Sequence, residues 1–150
     1  MHVLFFEPDP SFGGGSERVC LDLARGLVAR GHRISLLHDR AGSMLPDYDA
    51  AGARRSQMEL RPFGWRTLGA SLLRARRIAR VARSMSADVM IASELHYLRS
   101  LALASSLGGP PVLFHLGLTA THREWSWRWA YRRVSAGVVP STHTLRSWQE

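Results

Sequence analysis

The chain has no lysine: its twenty basic residues are all arginine, set against twelve acidic residues for a formal charge of +8. A phosphate-binding loop of the GK[ST] type and a Schiff-base enzyme both need a lysine amine, so neither chemistry belongs to this chain. It has one cysteine, Cys20, which excludes an internal disulfide and any multi-cysteine zinc or iron-sulfur site and fits a reducing compartment. No histidine pair stands at H-x3-H spacing, and no metal is expected. Long apolar runs are missing too. The start, Met1-His2-Val3-Leu4-Phe5-Phe6, has no basic n-region and reaches Glu7 at once, and the uncharged stretch from Ser100 to Thr121 is interrupted by Gly108-Gly109-Pro110-Pro111. Neither a secretory signal nor a membrane span is expected, and the reading is a soluble cytoplasmic protein.

What is present is enough for one domain: 150 residues, 45% hydrophobic and 21% charged. The charge is unevenly placed, with five of the arginines in residues 1–53 and fifteen in residues 54–150. A GC-rich genome explains the choice of arginine but not its clustering. A half so basic suits phosphate, nucleic acid or an anionic membrane.

Along the chain, short apolar runs alternate with amphipathic segments. His2 to Phe6 reads as a buried strand, followed by the loop Glu7-Pro8-Asp9-Pro10 and Gly13-Gly14-Gly15. Ser16 then suits a helix N-cap. Val19, Cys20, Leu23, Ala24, Leu27 and Val28 recur at helical spacing up to a cap at Gly31. Ile34 to His38 is a second strand, so the opening is a parallel crossover unit. Asp39 to Gln57 reads as turns, and Met58 to Arg61 as a short third strand. A basic helix follows over Leu68 to Met85, its apolar face carrying Leu68, Leu72, Ala75, Ile78, Ala79, Ala82 and Met85 and its other face Arg76, Arg80 and Arg83. Strands at Asp88 to Ala92, Val112 to His115 and Ala136 to Val139 enclose a helix at Leu98 to Leu107, and a last helix opens after Pro140 with Ser141 as its N-cap. Trp125, Trp127, Trp129 and Tyr131 alternate as in a strand, which leaves the segment open between strand and helix, and burial of one or two of them is expected. The sum is an α/β fold, a Rossmann-like parallel sheet with helices on both faces, occupying residues 1–150 as a single domain.

In such a sheet ligands sit at the carboxyl ends of the strands, so the glycine loop after the first strand is the first candidate site, with backbone N–H groups and a helix N-terminus suited to phosphate. The dinucleotide fingerprint GxGxxG fits poorly. Arg18 stands where the third glycine should be, and the glycines begin seven residues after Phe6. Asp39 still suits a ribose-binding acid, so a nicotinamide-dependent oxidoreductase fragment stays open as an alternative.

Four stretches carry a resemblance: Gly14-Gly15-Ser16-Glu17 with Leu23-Ala24-Arg25-Gly26-Leu27 and Arg30-Gly31-His32; Asp88-Val89-Met90-Ile91 with His96; Pro111-Val112-Leu113-Phe114-His115; and Val138-Val139-Pro140-Ser141. Together they resemble the N-terminal domain of family 4 glycosyltransferases, the retaining enzymes of the GT-B fold. The resemblance implies a two-domain enzyme that moves a sugar from a nucleotide-sugar donor to an acceptor in cell-envelope glycan, glycolipid or polysaccharide synthesis. It needs no cofactor beyond that donor. Residues 1–150 would be the acceptor-side half, inactive alone, with the nucleotide-sugar half and its E-x7-E motif absent from the sequence. The face that meets that half is a risk for self-association.

By the same resemblance Gly14 and Gly15 approach the donor phosphates, Glu17, Glu94 and His96 line the acceptor pocket, and His115 is the catalytic histidine. His115-Leu116-Gly117 departs from the family's H-x-H-G or T-x-H-G, which makes Gly117 the alternative position of that histidine. Some relatives act on lipid-linked acceptors and dock through a basic helix, which makes Arg76, Arg77, Arg80 and Arg83 candidate membrane contacts and the location peripheral on the inner face. A solvated helix face explains the same arginines. A rival reading has Arg76, Arg80, Arg83, Arg128, Arg132 and Arg133 hold nucleic acid with tryptophan stacking. Another has the chain pair, as an interaction subunit, with a separate catalytic half.

Overall fold

The structure is a computed structural model that describes residues 1–11, 13–92, 94–115, 125–139 and 141–149, without the side chains of 147–149. Six strands, β1 (His2–Phe6), β2 (Arg33–His38), β3 (Arg54–Gln57), β4 (Val89–Ala92), β5 (Val112–His115) and β6 (Ala136–Val138), make one sheet in the order β3-β2-β1-β4-β5-β6. Every neighbouring pair is parallel. Parallel neighbours need crossovers, and these are supplied by α1 (Gly15–Ala29), α2 (Leu45–Ala50), α3 (Leu68–Ser84), α4 (Leu98–Ser106) and α5 (Trp125–Tyr131), with α6 (Thr142–Gln149) after the last strand.

All five residues of β1 are buried, because the central strand is covered on both sides. Its alternation divides the core. Leu4 and Phe6 pack with Ala75, Ile78, Ala79 and Ala82 of α3, with α4, and with Trp127 and Ala130 of α5. Val3 and Phe5 pack on the opposite face with Cys20, Leu21 and Ala24 of α1 and with Leu45 and Tyr48 of α2. The fold is therefore the expected α/β class, a Rossmann-like parallel sheet with helices on both faces.

Several local expectations are corrected. The third strand is Arg54–Gln57 rather than Met58 to Arg61. An edge strand pairs through its backbone and needs no apolar face, and charged side chains guard its open edge. Met58 and Leu60 are buried because they leave the sheet and enter the core beside α3. The segment read as turns contains α2, which Leu45 and Tyr48 anchor. Helix α1 starts two residues early, with extended Gly14 as its N-cap and no side chain capping it, so Ser16 lies inside the helix. Val19, Leu23 and Val28 are exposed, and Leu21 takes the inward position. The tryptophan segment is helical, with Trp127 buried and Trp125 exposed. Two caps are as expected: Gly31 has φ +79° beyond the end of α1, and Ser141 Oγ accepts the Thr144 N–H at 3.2 Å.

Candidate functional site

The strand order reverses between β1 and β4, and the loops leaving the carboxyl ends of β1, β2, β3 and β4 surround an open cleft of about 770 Å³. This is where an open parallel sheet binds ligands, and the volume suits a small molecule. The loop after β1 is fixed by its neighbour: Asp39 and Arg40 donate their N–H groups to the Pro8 carbonyl at 3.0 Å each, and Met44 donates to that of Pro10 at 2.9 Å. Gly42 allows this approach, because a Cβ there would overlap the Pro10 carbonyl.

That loop delivers the glycines. Gly13, Gly14 and Gly15 are exposed, and a Cβ on Gly15 would meet nothing within 4 Å. The uncapped first turn of α1 is open to an anion there. Glu17, in that turn, folds back so that its Oε2 lies 3.2 Å from where a Gly14 Cβ would be, and this oxygen is buried with no hydrogen-bond partner. Glu94 is its electrostatic neighbour. Burial first, then the carboxylates of Glu17 and Asp9, hold the Glu94 carboxyl above its ordinary range. Burial first, then Glu7, Cys20 and Glu17, push the Tyr48 hydroxyl far up.

The cleft wall mixes both signs of charge. Arg61 pairs with Glu59 at 2.6 Å and Arg40 with Asp9 at 3.9 Å, while Asp39 accepts the Leu60 N–H at 3.1 Å. Thr67 and Arg74 contribute from the α3 side. Arg74 has the Ser71 hydroxyl at 3.5 Å, and no carboxylate lies within ion-pair distance of it among the described residues. Tyr97 closes the far wall, its ring 5.4 Å from that of Phe6.

Of the residues singled out in the sequence, the fold therefore brings Glu17 and Glu94 together beside the glycine loop. His96 is exposed and is not among the cleft-lining residues, whereas its neighbour Tyr97 is. His115 ends β5 at the same edge of the sheet, half-buried. Its Nδ1 is buried without a hydrogen-bond partner, and burial pushes the ring pKa down. Gly117, Arg123, Glu124 and Pro140 lie outside the described residues. Arg76, Arg77 and Arg80 are exposed on α3. Arg83 is exposed too but is committed to the fold, donating to the carbonyls of Gly108 at 2.8 Å and Leu107 at 3.3 Å beyond the end of α4. Sequence reasoning missed Asp9, Arg40, Arg61, Arg74, Tyr97 and Gly42. The signal available for most of them was position, since they follow directly on strand ends. Among the described residues no helix is long and apolar enough to cross a membrane, and no three His, Cys, Asp or Glu side chains group to hold a metal ion.

The raised Glu94 carboxyl gives a stability prediction. A carboxyl whose folded pKa lies above the ordinary 4.5 favours folding while protonated and loses that advantage as pH rises through the folded pKa. Glu94→Gln is thus expected to raise the melting temperature near neutral pH and to leave it unchanged well below pH 4.5. Equal shifts at both pH values would contradict the carboxylate crowding.

Comparison with known proteins supports the same architecture. Residues 13–150 match the model of Glycosyltransferase Family 4. Among solved structures, a glycosyltransferase from Rickettsia africae is 18% identical with a TM-score of 0.77, covering 99% of this chain and 39% of that one. Anabaena HepE in complex with UDP is 18% identical with a TM-score of 0.71, covering 99% and 40%. Acinetobacter baumannii MurG is 17% identical with a TM-score of 0.70, covering 95% and 42%. The chain thus spans about two-fifths of the length of the structures it matches. No curated protein sequence matches it significantly. With a strand order that reverses at the cleft, an open glycine loop at the head of α1, and a family match from Gly13 to the last residue, the chain belongs to Glycosyltransferase Family 4.

Proposed function

We propose that the chain is the acceptor-side half of a retaining glycosyltransferase of the hexosyltransferase type, which transfers a sugar from a nucleotide sugar to a glycan or lipid acceptor in cell-envelope glycan, glycolipid or polysaccharide synthesis. The observation that carries this reading is the cleft at the strand reversal, flanked by the open glycine loop, in a chain of this family. Gly14 and Gly15 approach the donor diphosphate through their backbone, and the positive end of α1 stabilises charge on the departing nucleoside diphosphate. Glu17 and Glu94 face the acceptor. His115, neutral at physiological pH because burial lowers its pKa, offers a polar imidazole to the reacting sugar. A second half supplies most of the donor contacts, so residues 1–150 do not turn over donor alone. The face that meets that half is the one open to self-association.

Arg76, Arg77 and Arg80 remain the candidate contacts with an anionic membrane surface, in a cytoplasmic protein peripheral on the inner face. Nucleic acid is not part of this reading.

The test is nucleoside diphosphate release from a panel of nucleotide sugars by the protein that joins this chain to its donor-side half. Release is expected there and not from residues 1–150 alone. Gly15→Ala is expected to cut release at unchanged stability, since a Cβ there touches no protein atom within 4 Å. Release by residues 1–150 alone at the same rate would overturn the reading.

A further inference from the structure

At the edge of the sheet opposite the cleft, a second cavity of about 210 Å³ is lined by the first residue of each of three neighbouring strands: His2 of β1, Arg33 of β2 and Arg54 of β3. His32, Gly52 and Met85 also line it, and among the described residues no acidic side chain does.

The strand register brings the polar side chains together. In the parallel pairing His2 is the partner of Arg33 and Ser35 that of Arg54, and residues two apart on a strand share a face. His2, Arg33, Ser35 and Arg54 therefore stand on one side of the sheet, with the His2 Nε2 2.9 Å from the Ser35 hydroxyl. His32 belongs to the Arg30-Gly31-His32 stretch, which the cleft does not use, and Gly31 at φ +79° turns the chain immediately before it.

The positive charge at this edge has no internal partner. Arg25 pairs with Asp47 at 2.6 Å and Arg55 with Asp49 at 2.8 Å, whereas among the described residues no carboxylate lies within ion-pair distance of Arg33 or Arg54. The exposed Asp88 carboxylate accepts the His2 backbone N–H at 2.7 Å and does not line the cavity. Helices α1, α2 and α3 end at this edge, and a helix C-terminus attracts basic side chains. Their last carbonyls are already taken by backbone caps, however: Gly31 donates to Val28, His32 to Leu27, Gly52 to Asp49, Ala53 to Tyr48 and Ser86 to Arg83. His2 adds a second observation. It is 4% exposed, and its Nδ1 is buried without a hydrogen-bond partner. In the tautomer in which Ser35 donates to Nε2, Nδ1 carries the ring proton and is a buried donor, costly to leave without an acceptor.

An oxyanion answers both features, offering acceptor oxygens to the imidazole and negative charge to two guanidinium forks whose geometry matches phosphate. The cavity is smaller than an ordinary small-molecule site, so it suits one such group rather than a whole nucleotide. We propose that this cavity binds a phosphate group between Arg33 and Arg54, beside the His2 and His32 rings, and that the bound anion ties β3 to β2. Strand β3 is four residues long and has β2 as its one neighbour in the sheet, so a bridge there acts where the sheet is held least. The site lies away from the cleft and does not depend on the transferase reading.

The test is titration of the chain with inorganic phosphate at constant ionic strength, followed by the imidazole NMR signals of His2 and His32 and by the melting temperature. These rings report this cavity and not the glycine loop at the other edge. Both signals are expected to move with one Kd, and the melting temperature to rise with phosphate and not with chloride. Arg33→Gln and Arg54→Gln, at exposed positions, are each expected to weaken binding about tenfold, the effect of one lost charge-assisted hydrogen bond. The control Arg76→Gln/Arg80→Gln, exposed on α3, removes as much charge as both together and is expected to leave the affinity unchanged. Ring signals that phosphate does not move would overturn the proposal. An equal loss of affinity in the control would do so too, by making the effect one of net charge, as would signals moved by phosphatidate vesicles and not by soluble phosphate. Glucose 6-phosphate decides the source: affinity equal to that of inorganic phosphate supports a site for phosphate esters, and binding of inorganic phosphate alone supports a site for the free ion.

Discussion

Gly42→Ala is expected to destabilise the chain by about 3 kcal/mol, at the upper end of the cost of overpacking. The new Cβ would overlap the carbonyl carbon and oxygen of Pro10 and come within 2.8 Å of the Ser11 nitrogen. All three are backbone atoms, so no side chain can turn aside to make room. The two loops must separate instead, and they are joined by the hydrogen bonds from Asp39 and Arg40 to Pro8 and from Met44 to Pro10. The consequence reaches the site, because Pro8, Asp9, Asp39 and Arg40 all line the cleft. Gly69→Ala is the control. It lies in α3 with nothing within 4 Å of its Cβ position and is expected to gain up to about 1 kcal/mol from helix propensity. Urea unfolding midpoints separate the two. An unchanged midpoint for Gly42→Ala would mean that the two loops are not in contact.

His115→Ala is expected to lower turnover by the two-half enzyme about 10²- to 10⁴-fold, the usual range for a positioned proton-transfer or polarising group. The size follows from the proposed role, and the pH dependence follows from the structure. Burial lowers the ring pKa from its ordinary 6.5, so the imidazole is neutral at physiological pH and turnover that depends on it has an acid limb below pH 6.5. The unfolded chain protonates at the ordinary value and the folded chain only at lower pH, so stability falls as pH drops through 6.5 towards the folded pKa. Glu94 works in the opposite direction, losing stability as pH rises. His115→Gln is expected to remove the His115 share of the acid instability together with most of the activity. Turnover within a few-fold of the parent would make His115 a structural residue of the strand end.

Much of the fold was legible because periodicity and burial agree. The continuous apolar run of β1 reads as a central parallel strand, and the α3 positions Ala75, Ile78, Ala79 and Ala82 read as a helix face that the structure buries. Where they part, tertiary position decides. The edge strand β3 is Arg-Arg-Ser-Gln and carries no apolar signal, because only its backbone is asked to pair. Trp125, Trp127 and Trp129 alternate in sequence, yet the helix buries Trp127 and leaves Trp125 exposed. The site divides in the same way. The glycine loop and Glu17 have a local pattern, and the closeness of Glu94 to Glu17 does not. It arises because β1 and β4 are neighbours although far apart in the chain. The open space at Gly15 and the filled space at Gly42 are likewise invisible in a string of letters.

The most direct test of the account is proton NMR of the two-half protein with nucleotide sugar and acceptor, following nucleoside diphosphate release and the anomeric configuration of the product together. Stoichiometric release with the donor's anomeric configuration retained is expected, with slower release and the same configuration for Gly15→Ala. Donor left unconsumed by a folded two-half protein across the nucleotide-sugar panel would contradict the transferase reading, and an inverted product would contradict its retaining mechanism.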